Sequence, residues 1–349
     1  MQEFPTDLYS DTKTQPTEAM RRVIAASRPG DEQHGECPIT ADLIDRCARL
    51  LNKETAIFLP SGTMANVIAT LVHCGPGDEL LAHRDSHLLN FEAGGAAALG
   101  GVMVRALEGD RGMFDHTTLS NAIRRQARHL PRSRMVSIEQ TTNLGGGAVW
   151  PLDLMTEVAG LAREAGLAVH IDGARMLNAS VARGLEPRGY SDLADTVYLD
   201  FTKGLGAPFG AVLLGSREVI DAAWRWKQRL GGSMRQSGMM AAACIYALEH
   251  NVDRLAEDHF NARLLADGLA AIPGLKVREV ETNMVFVDTS GTGWRASDFD
   301  AAMWPDGVRM SIQGETVLRA VTHMGVGAEG VRRAVAAAKR VALGKGAQT

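Results

Sequence analysis

The sequence has no long apolar run, few aromatic residues and no block of one charge sign, and each shortage removes a class of function. Its longest weakly polar stretch, Ala93 to Val104, is rich in glycine and alanine. That is shorter than the roughly 20 residues a membrane-spanning helix needs. Aromatic residues are 5% of the 349 residues, and 37 Lys and Arg stand against 41 Asp and Glu, a formal net charge of -4. Nothing here makes a nucleic-acid footprint. Cysteine is scarce as well: Cys37, Cys47, Cys74 and Cys244, with no CxxC pair. Four in a chain of this length make no disulfide framework and are expected as reduced thiols in a cytoplasm. The segment Met1 to Ser10 lacks the apolar centre of a secretory signal. The expectation is a soluble, cytoplasmic protein with a small-molecule substrate, no membrane or nucleic-acid partner and no metal site.

What is present is ordinary globular composition, 45% hydrophobic and 22% charged, in a chain long enough for a large domain and a smaller one. Strand-like and helical patterns alternate from about residue 40. Strands are predicted at Thr55–Leu59, Glu79–Ala82, Val102–Arg105, Met135–Glu139, Ala168–Ile171, Thr196–Phe201 and Gly210–Leu214. Helices are predicted over Asp42–Leu51, from Ser61 to about His73, and over Pro151–Ala165. This alternation implies an α/β fold whose mostly parallel sheet is covered by helices on both faces. After about residue 245 the pattern changes to a long helix over Glu249–Ala271, strands at Lys276–Val280 and Asn283–Val287, and a closing helix over Ala328–Leu343. The division predicted is an N-terminal arm (1–30), a large ligand-binding domain (31–245) and a small C-terminal α+β domain (246–349).

Two strand ends hold the chemistry. Val169-His-Ile-Asp-Gly-Ala-Arg175 and Tyr198-Leu-Asp-Phe-Thr-Lys-Gly-Leu-Gly206 each run from an apolar strand into a polar cluster. Ligands of open α/β sheets collect outside such carboxyl ends. The interval from Asp172 to Lys203 leaves room for a helix and a return strand, so the two can share one rim. A buried carboxylate beside a lysine suits pyridoxal phosphate: the lysine forms an imine with the cofactor aldehyde, and the carboxylate keeps the pyridine nitrogen protonated. The third part is Leu59-Pro-Ser-Gly-Thr-Met-Ala-Asn66. There Gly62 allows close backbone approach, and Thr63 starts a helix whose free N–H groups favour phosphate.

With these parts in view, the chain resembles the L-threonine aldolases, within the fold type I pyridoxal-phosphate enzymes related to the β-eliminating lyases. The resemblance runs through Asp7-Leu-Tyr-Ser-Asp-Thr-Lys-Thr-Gln-Pro-Thr17, Phe58 to Asn66, Glu92 to Ala98, Ile171 to Asn178, Thr202 to Gly206, Leu230-Gly-Gly-Ser-Met-Arg-Gln236 and Arg319 to His323. It implies that Lys203 holds the cofactor as a Schiff base and that Asp172 pairs with the ring nitrogen. Arg175 is implied near the phenolic oxygen and the substrate carboxylate. Gly62 and Thr63 would bind the phosphate, with Arg235 reaching in from a neighbouring subunit. Ser10 and Arg319 would complete a carboxylate clamp. His87 is implied on the ring face, and His129 as a second active-site histidine. The chain departs from the family pattern at Tyr9, Cys37, Thr142 and Gln228, and has Thr202 where serine is usual.

The function implied is aldol cleavage of L-threonine, L-allo-threonine or a related β-hydroxy-α-amino acid such as phenylserine, giving glycine and an aldehyde. His87, His129 or a bound water is the base. The resemblance also implies a homodimer or homotetramer with shared sites. The competing readings are a β-eliminating lyase or aminotransferase of the same fold, a dinucleotide-binding oxidoreductase, and a non-enzymatic binding protein. The oxidoreductase is disfavoured because Gly204-Leu-Gly-Ala-Pro-Phe-Gly210 has the wrong glycine spacing and leads into a predicted strand.

Overall fold

A computed structural model describes residues 3–344. In the N-terminal arm a two-residue strand, β1 (Thr6–Asp7), is followed by a helix over Glu18–Ala26. Seven strands then build the main sheet: β2 (Thr55–Leu59), β3 (Glu79–His83), β4 (Met103–Leu107), β5 (Ser133–Glu139), β6 (Ala168–Gly173), β7 (Thr196–Asp200) and β8 (Ala211–Gly215). Their order is β2-β8-β7-β6-β5-β3-β4. All pairs from β7 to β4 are parallel, while β8 runs antiparallel to both its neighbours. The reversal follows from the short loop between Asp200 and Ala211, which cannot hold the helical crossover that a parallel return needs. That loop holds Lys203, and β8 rather than a helix follows its glycines.

Both faces of the sheet are apolar because both are covered. On one face Val136, Ile138, Val169, Ile171, Val197 and Leu199 share a core with Met155, Val158 and Ala162 of the helix Leu152–Glu164. On the other, Ile57, Leu59 and Leu213 pack with Ala65, Ile68 and Ala69 of the helix Gly62–His73. Ser61 starts the latter helix, its Oγ accepting from the Met64 N–H at 3.2 Å.

The C-terminal part adds β9 (Lys276–Val277), β10 (Met284–Asp288), β11 (Val308–Arg309), β12 (Ser311–Ile312) and β13 (Val317–Val321). Four of these form an antiparallel sheet, β12-β13-β10-β9, while β11 pairs with the arm strand β1. The period of two along β13 divides its side chains. Leu318 and Ala320 join the core beneath the helices Leu255–Ala270 and Ala328–Gly344. Arg319, between them in sequence, faces the other way, toward Asn143.

The long helix predicted over Glu249–Ala271 is interrupted: one helix ends at His250 and the next begins at Leu255. Asn251 makes the break, its side chain donating to the Leu205 carbonyl at 2.8 Å. The helix Gly238–His250 packs on the helices Glu18–Ala26 and Pro38–Leu50. The strand predicted over Lys276–Val280 is shorter, as are the N-terminal ends of several others. Strand ends depend on the partner's register, which apolar content does not record.

Candidate active site

A cleft of about 360 Å³ opens at the carboxyl ends of β5, β6 and β7, closed from above by the arm and by β12 and β13. Asp172, Arg175, Lys203, His87, Ser10 and Arg319 all line it, with Glu139, Asn143, Tyr9 and Phe91. Asp172 and Lys203 come together because β6 and β7 are parallel neighbours in which Asp172 is in register with Tyr198. Lys203 Nζ lies 3.1 Å from Asp200 Oδ2, and Asp200 Oδ1 also accepts from the Thr202 N–H and hydroxyl. Thr202 thus performs a hydroxyl's task at this turn. Gly173 is required beside Asp172, since a Cβ there would stand 2.1 Å from the Tyr198 carbonyl oxygen.

Asp172 accepts from Asn66 Nδ2 at 2.8 Å and from the Ala174 N–H at 3.1 Å, and is 3% exposed. Asn66 also donates to Glu92 Oε1 at 2.6 Å, and that oxygen lies 2.8 Å from His87 Nδ1. Glu139 holds two loops at once, accepting from the backbone N–H of His87 and of Asn143, each at 2.6 Å. Asn143 Oδ1 in turn accepts from Arg319 Nη1 at 2.6 Å.

Three buried carboxylates around one imidazole perturb one another. Burial, reinforced by Asp172, pushes the Glu139 carboxyl up to about 7 against the pull of its two backbone donors. Burial likewise raises Glu92, countered by the hydrogen bonds from His87 and Asn66. Burial alone would lower His87, but the bond to Glu92 and the charge of Asp172 hold it above its ordinary value.

The two arginines differ. Burial would raise the Asp11 carboxyl, but Arg175 holds it far below the ordinary range through two 2.7 Å bonds to Nε and Nη2. That side of the Arg175 fork is therefore taken, leaving Nη1. Arg319 is pulled down to about 10 by burial and by the charge of Arg175, and its Nε is buried with no acceptor among the described residues. The residue lines the cleft, where a guanidinium suits a carboxylate.

The donor set fits the expected cofactor. At the start of the helix Gly62–His73 the N–H groups of Gly62 and Thr63 have no acceptor among the described residues, as the first turn of a helix leaves them. A Cβ at Gly62 would come within 2.8 Å of the Tyr198 hydroxyl, so glycine keeps this approach open. Two predicted residues lie apart from the cleft. His129 is exposed, four residues before β5 begins and so about 20 Å of strand away from Glu139. Arg235 is exposed and paired with Asp31 at 3.2 Å.

The comparisons agree with this architecture. The family model for beta-eliminating lyases matches residues 7–292. The chain belongs to the beta-eliminating lyase family. It is 39% identical over 327 residues to the low specificity L-threonine aldolase of Escherichia coli K12, covering 93% of this chain and 95% of that one. It is 36% identical over 324 residues to the low-specificity L-threonine aldolase 1 of Arabidopsis thaliana, covering 91% and 90%. Among solved structures, the threonine aldolase of Leishmania major superposes with a TM-score of 0.83 at 20% identity, covering 97% of this chain and 100% of that one. That last likeness concerns the fold, the fold type I arrangement.

Sequence reasoning missed Glu139, Asp200, Glu92 and Asp11 as participants in the site, and gave the Asn66 side chain no part. Glu139 and Asp200 had a signal, since each ends an apolar strand just as Asp172 does. Asp11 had none, because its partner Arg175 is 164 residues away.

Proposed function

We propose that this protein cleaves the Cα–Cβ bond of β-hydroxy-α-amino acids, L-threonine and L-allo-threonine among them, releasing glycine and an aldehyde with pyridoxal phosphate as cofactor. The observation that supports it best is one cleft joining a lysine, a buried aspartate, an unsatisfied arginine and a histidine, in a chain of this family. Bound there, the cofactor supplies an aldehyde that condenses with amines and a pyridine ring that accepts the electron pair released at Cα.

The residues divide the remaining work. Lys203 would offer the amine that anchors the cofactor, Asp172 would pair with its ring nitrogen, and Gly62 and Thr63 would offer backbone donors to its phosphate. The Arg319 guanidinium and the Ser10 hydroxyl would hold the substrate carboxylate, which fixes the direction of the Cα–Cβ bond. His87 has one nitrogen committed to Glu92, so Nε2 is free to take the β-hydroxyl proton, directly or through water.

Oligomeric state and location belong to the same proposal. A homodimer or homotetramer with shared sites would give exposed Arg235 and His129 a neighbour's cleft to enter. A cytoplasmic setting is supported by four unpaired, buried cysteines; no helix among the described residues is long and apolar enough to cross a membrane.

Product analysis tests the reaction. Incubation with L-threonine should yield glycine and acetaldehyde in equal amounts, with no 2-oxobutyrate and no need for a keto-acid acceptor. Formation of 2-oxobutyrate would instead identify elimination, and dependence on a keto acid would identify transamination.

A further inference from the structure

Behind Asp172 lies a buried chain of polar groups that the reaction does not touch. Asn66 Oδ1 lies 3.0 Å from His170 Nε2, His170 Nδ1 lies 2.9 Å from Thr196 Oγ1, and that hydroxyl lies 3.0 Å from His73 Nε2. Asn66, His170 and Thr196 are fully buried. The spacing explains how they meet: Asn66 and His73 are two turns apart on one helix face, and His170 and Asp172 alternate onto one side of β6.

The hydrogen positions follow from donor counting. Asn66 uses both amide hydrogens on carboxylates, Asp172 and Glu92, so its oxygen must accept from His170. Reversing the amide would set an oxygen against two carboxylates. Burial drives His170 down to about 3, so the ring is neutral and has one N–H. That hydrogen is on Nε2, directed at Asn66. Nδ1 therefore accepts from the Thr196 hydroxyl, whose oxygen accepts from His73 Nε2.

We propose that His170 is a positioning residue: by donating to Asn66 it locks the amide orientation that holds Asp172 and Glu92, and through them sets the cofactor-facing carboxylate and the His87 ring. The charged and titratable groups around this pair are Glu139 from β5, His87 at the start of the short helix His87–Asn90, Lys203 from the loop after β7, and Tyr198 from β7. None of them reaches Asn66 Oδ1, so the lock rests on His170. A second-layer hydrogen bond of this kind acts on orientation rather than on the substrate directly.

The test compares two replacements of similar length in the cofactor-loaded enzyme. His170→Gln keeps an N–H for Asn66; His170→Met removes it. Cofactor affinity, kcat and KM are measured with thermal stability as a control. With the donor gone, the Met variant should bind cofactor roughly ten- to a hundredfold more weakly, the range for a hydrogen bond to a charged network. Its kcat should fall while KM for L-threonine stays near that of the parent, and Gln should restore most of both losses. Equal losses in Gln and Met, or parental cofactor affinity in Met, would overturn the proposal. Should His170→Met fail to fold, His170→Leu, which also lacks a donor for Asn66, takes its place. Weaker cofactor binding is then expected, and unchanged binding overturns the lock. The kinetic part rests on the aldol-cleavage reading, but cofactor affinity does not. A parent enzyme that binds cofactor and leaves L-threonine intact would refute that reading alone.

Discussion

Replacing Arg319 with methionine should weaken substrate binding without weakening the fold, a combination that follows from the way this arginine is buried. The residue is 9% exposed, has one good acceptor in Asn143 Oδ1, and leaves Nε orphaned. Burial, with Arg175 nearby, pulls it from 12.5 to about 10. For a base with a depressed folded-state value the charged form is disfavoured in the folded protein. The cost is fully present at neutral pH and is relieved only as pH rises through the folded value. At about 1.4 kcal/mol per unit this amounts to something on the order of 3 kcal/mol against folding. Methionine removes that cost but leaves Asn143 unpaired, worth about 1–3 kcal/mol, so the two changes nearly cancel. A bound carboxylate, by contrast, loses charge-assisted hydrogen bonds worth about 1.5–3 kcal/mol, or roughly ten- to a hundredfold in affinity. The assay is steady-state kinetics with L-threonine beside a thermal melt. Arg319→Met should raise KM by that factor with an unchanged or higher Tm. An unchanged KM, or a clear fall in Tm with activity retained, would refute the carboxylate role.

Other positions give independent checks. Lys203→Ala should abolish turnover and the yellow absorbance of anchored cofactor, read by spectroscopy after gel filtration; retained turnover would remove the lysine from the scheme. Gly62→Ala should weaken cofactor affinity about tenfold or more, because the new methyl meets the buried Tyr198 ring at 2.8–2.9 Å, and equilibrium dialysis would show it. Glu139, raised from 4.5 to about 7, contributes stability below its unfolded value that is lost as pH rises through 7. Denaturant titrations of Glu139→Gln should therefore show a smaller decline in stability between pH 4.5 and 7 than the parent, and an identical slope would assign that decline elsewhere. His87→Asn, with the Nε2 base gone, should lower kcat roughly a hundredfold or more while leaving cofactor bound, by absorbance.

The main sheet was legible because its strands are short apolar runs ending in polar clusters. Asp172 and Lys203 stood out because glycines follow them at strand ends. Gly62 and Thr63 were visible for a local reason, a strand–glycine–helix turn. What escaped was whatever depends on a distant partner. Asn66 was read as part of the phosphate turn, yet its side chain serves Asp172, 106 residues later, and is oriented by His170. Glu92 and Glu139 are glutamates like many others until folding surrounds one imidazole with carboxylates. The break at Asn251 was hidden because apolar periodicity continues across it, while the cause is a carbonyl at Leu205.

The central claim is that the cofactor held at Lys203 and Asp172 drives aldol cleavage. It is tested most directly by stripping the purified protein of pyridoxal phosphate and following acetaldehyde release from L-threonine and L-allo-threonine before and after the cofactor is restored. No release is expected from the stripped protein, and reconstitution should recover it, with glycine formed in step. Equal release with and without cofactor, or none from reconstituted protein that has regained its yellow absorbance, would contradict it.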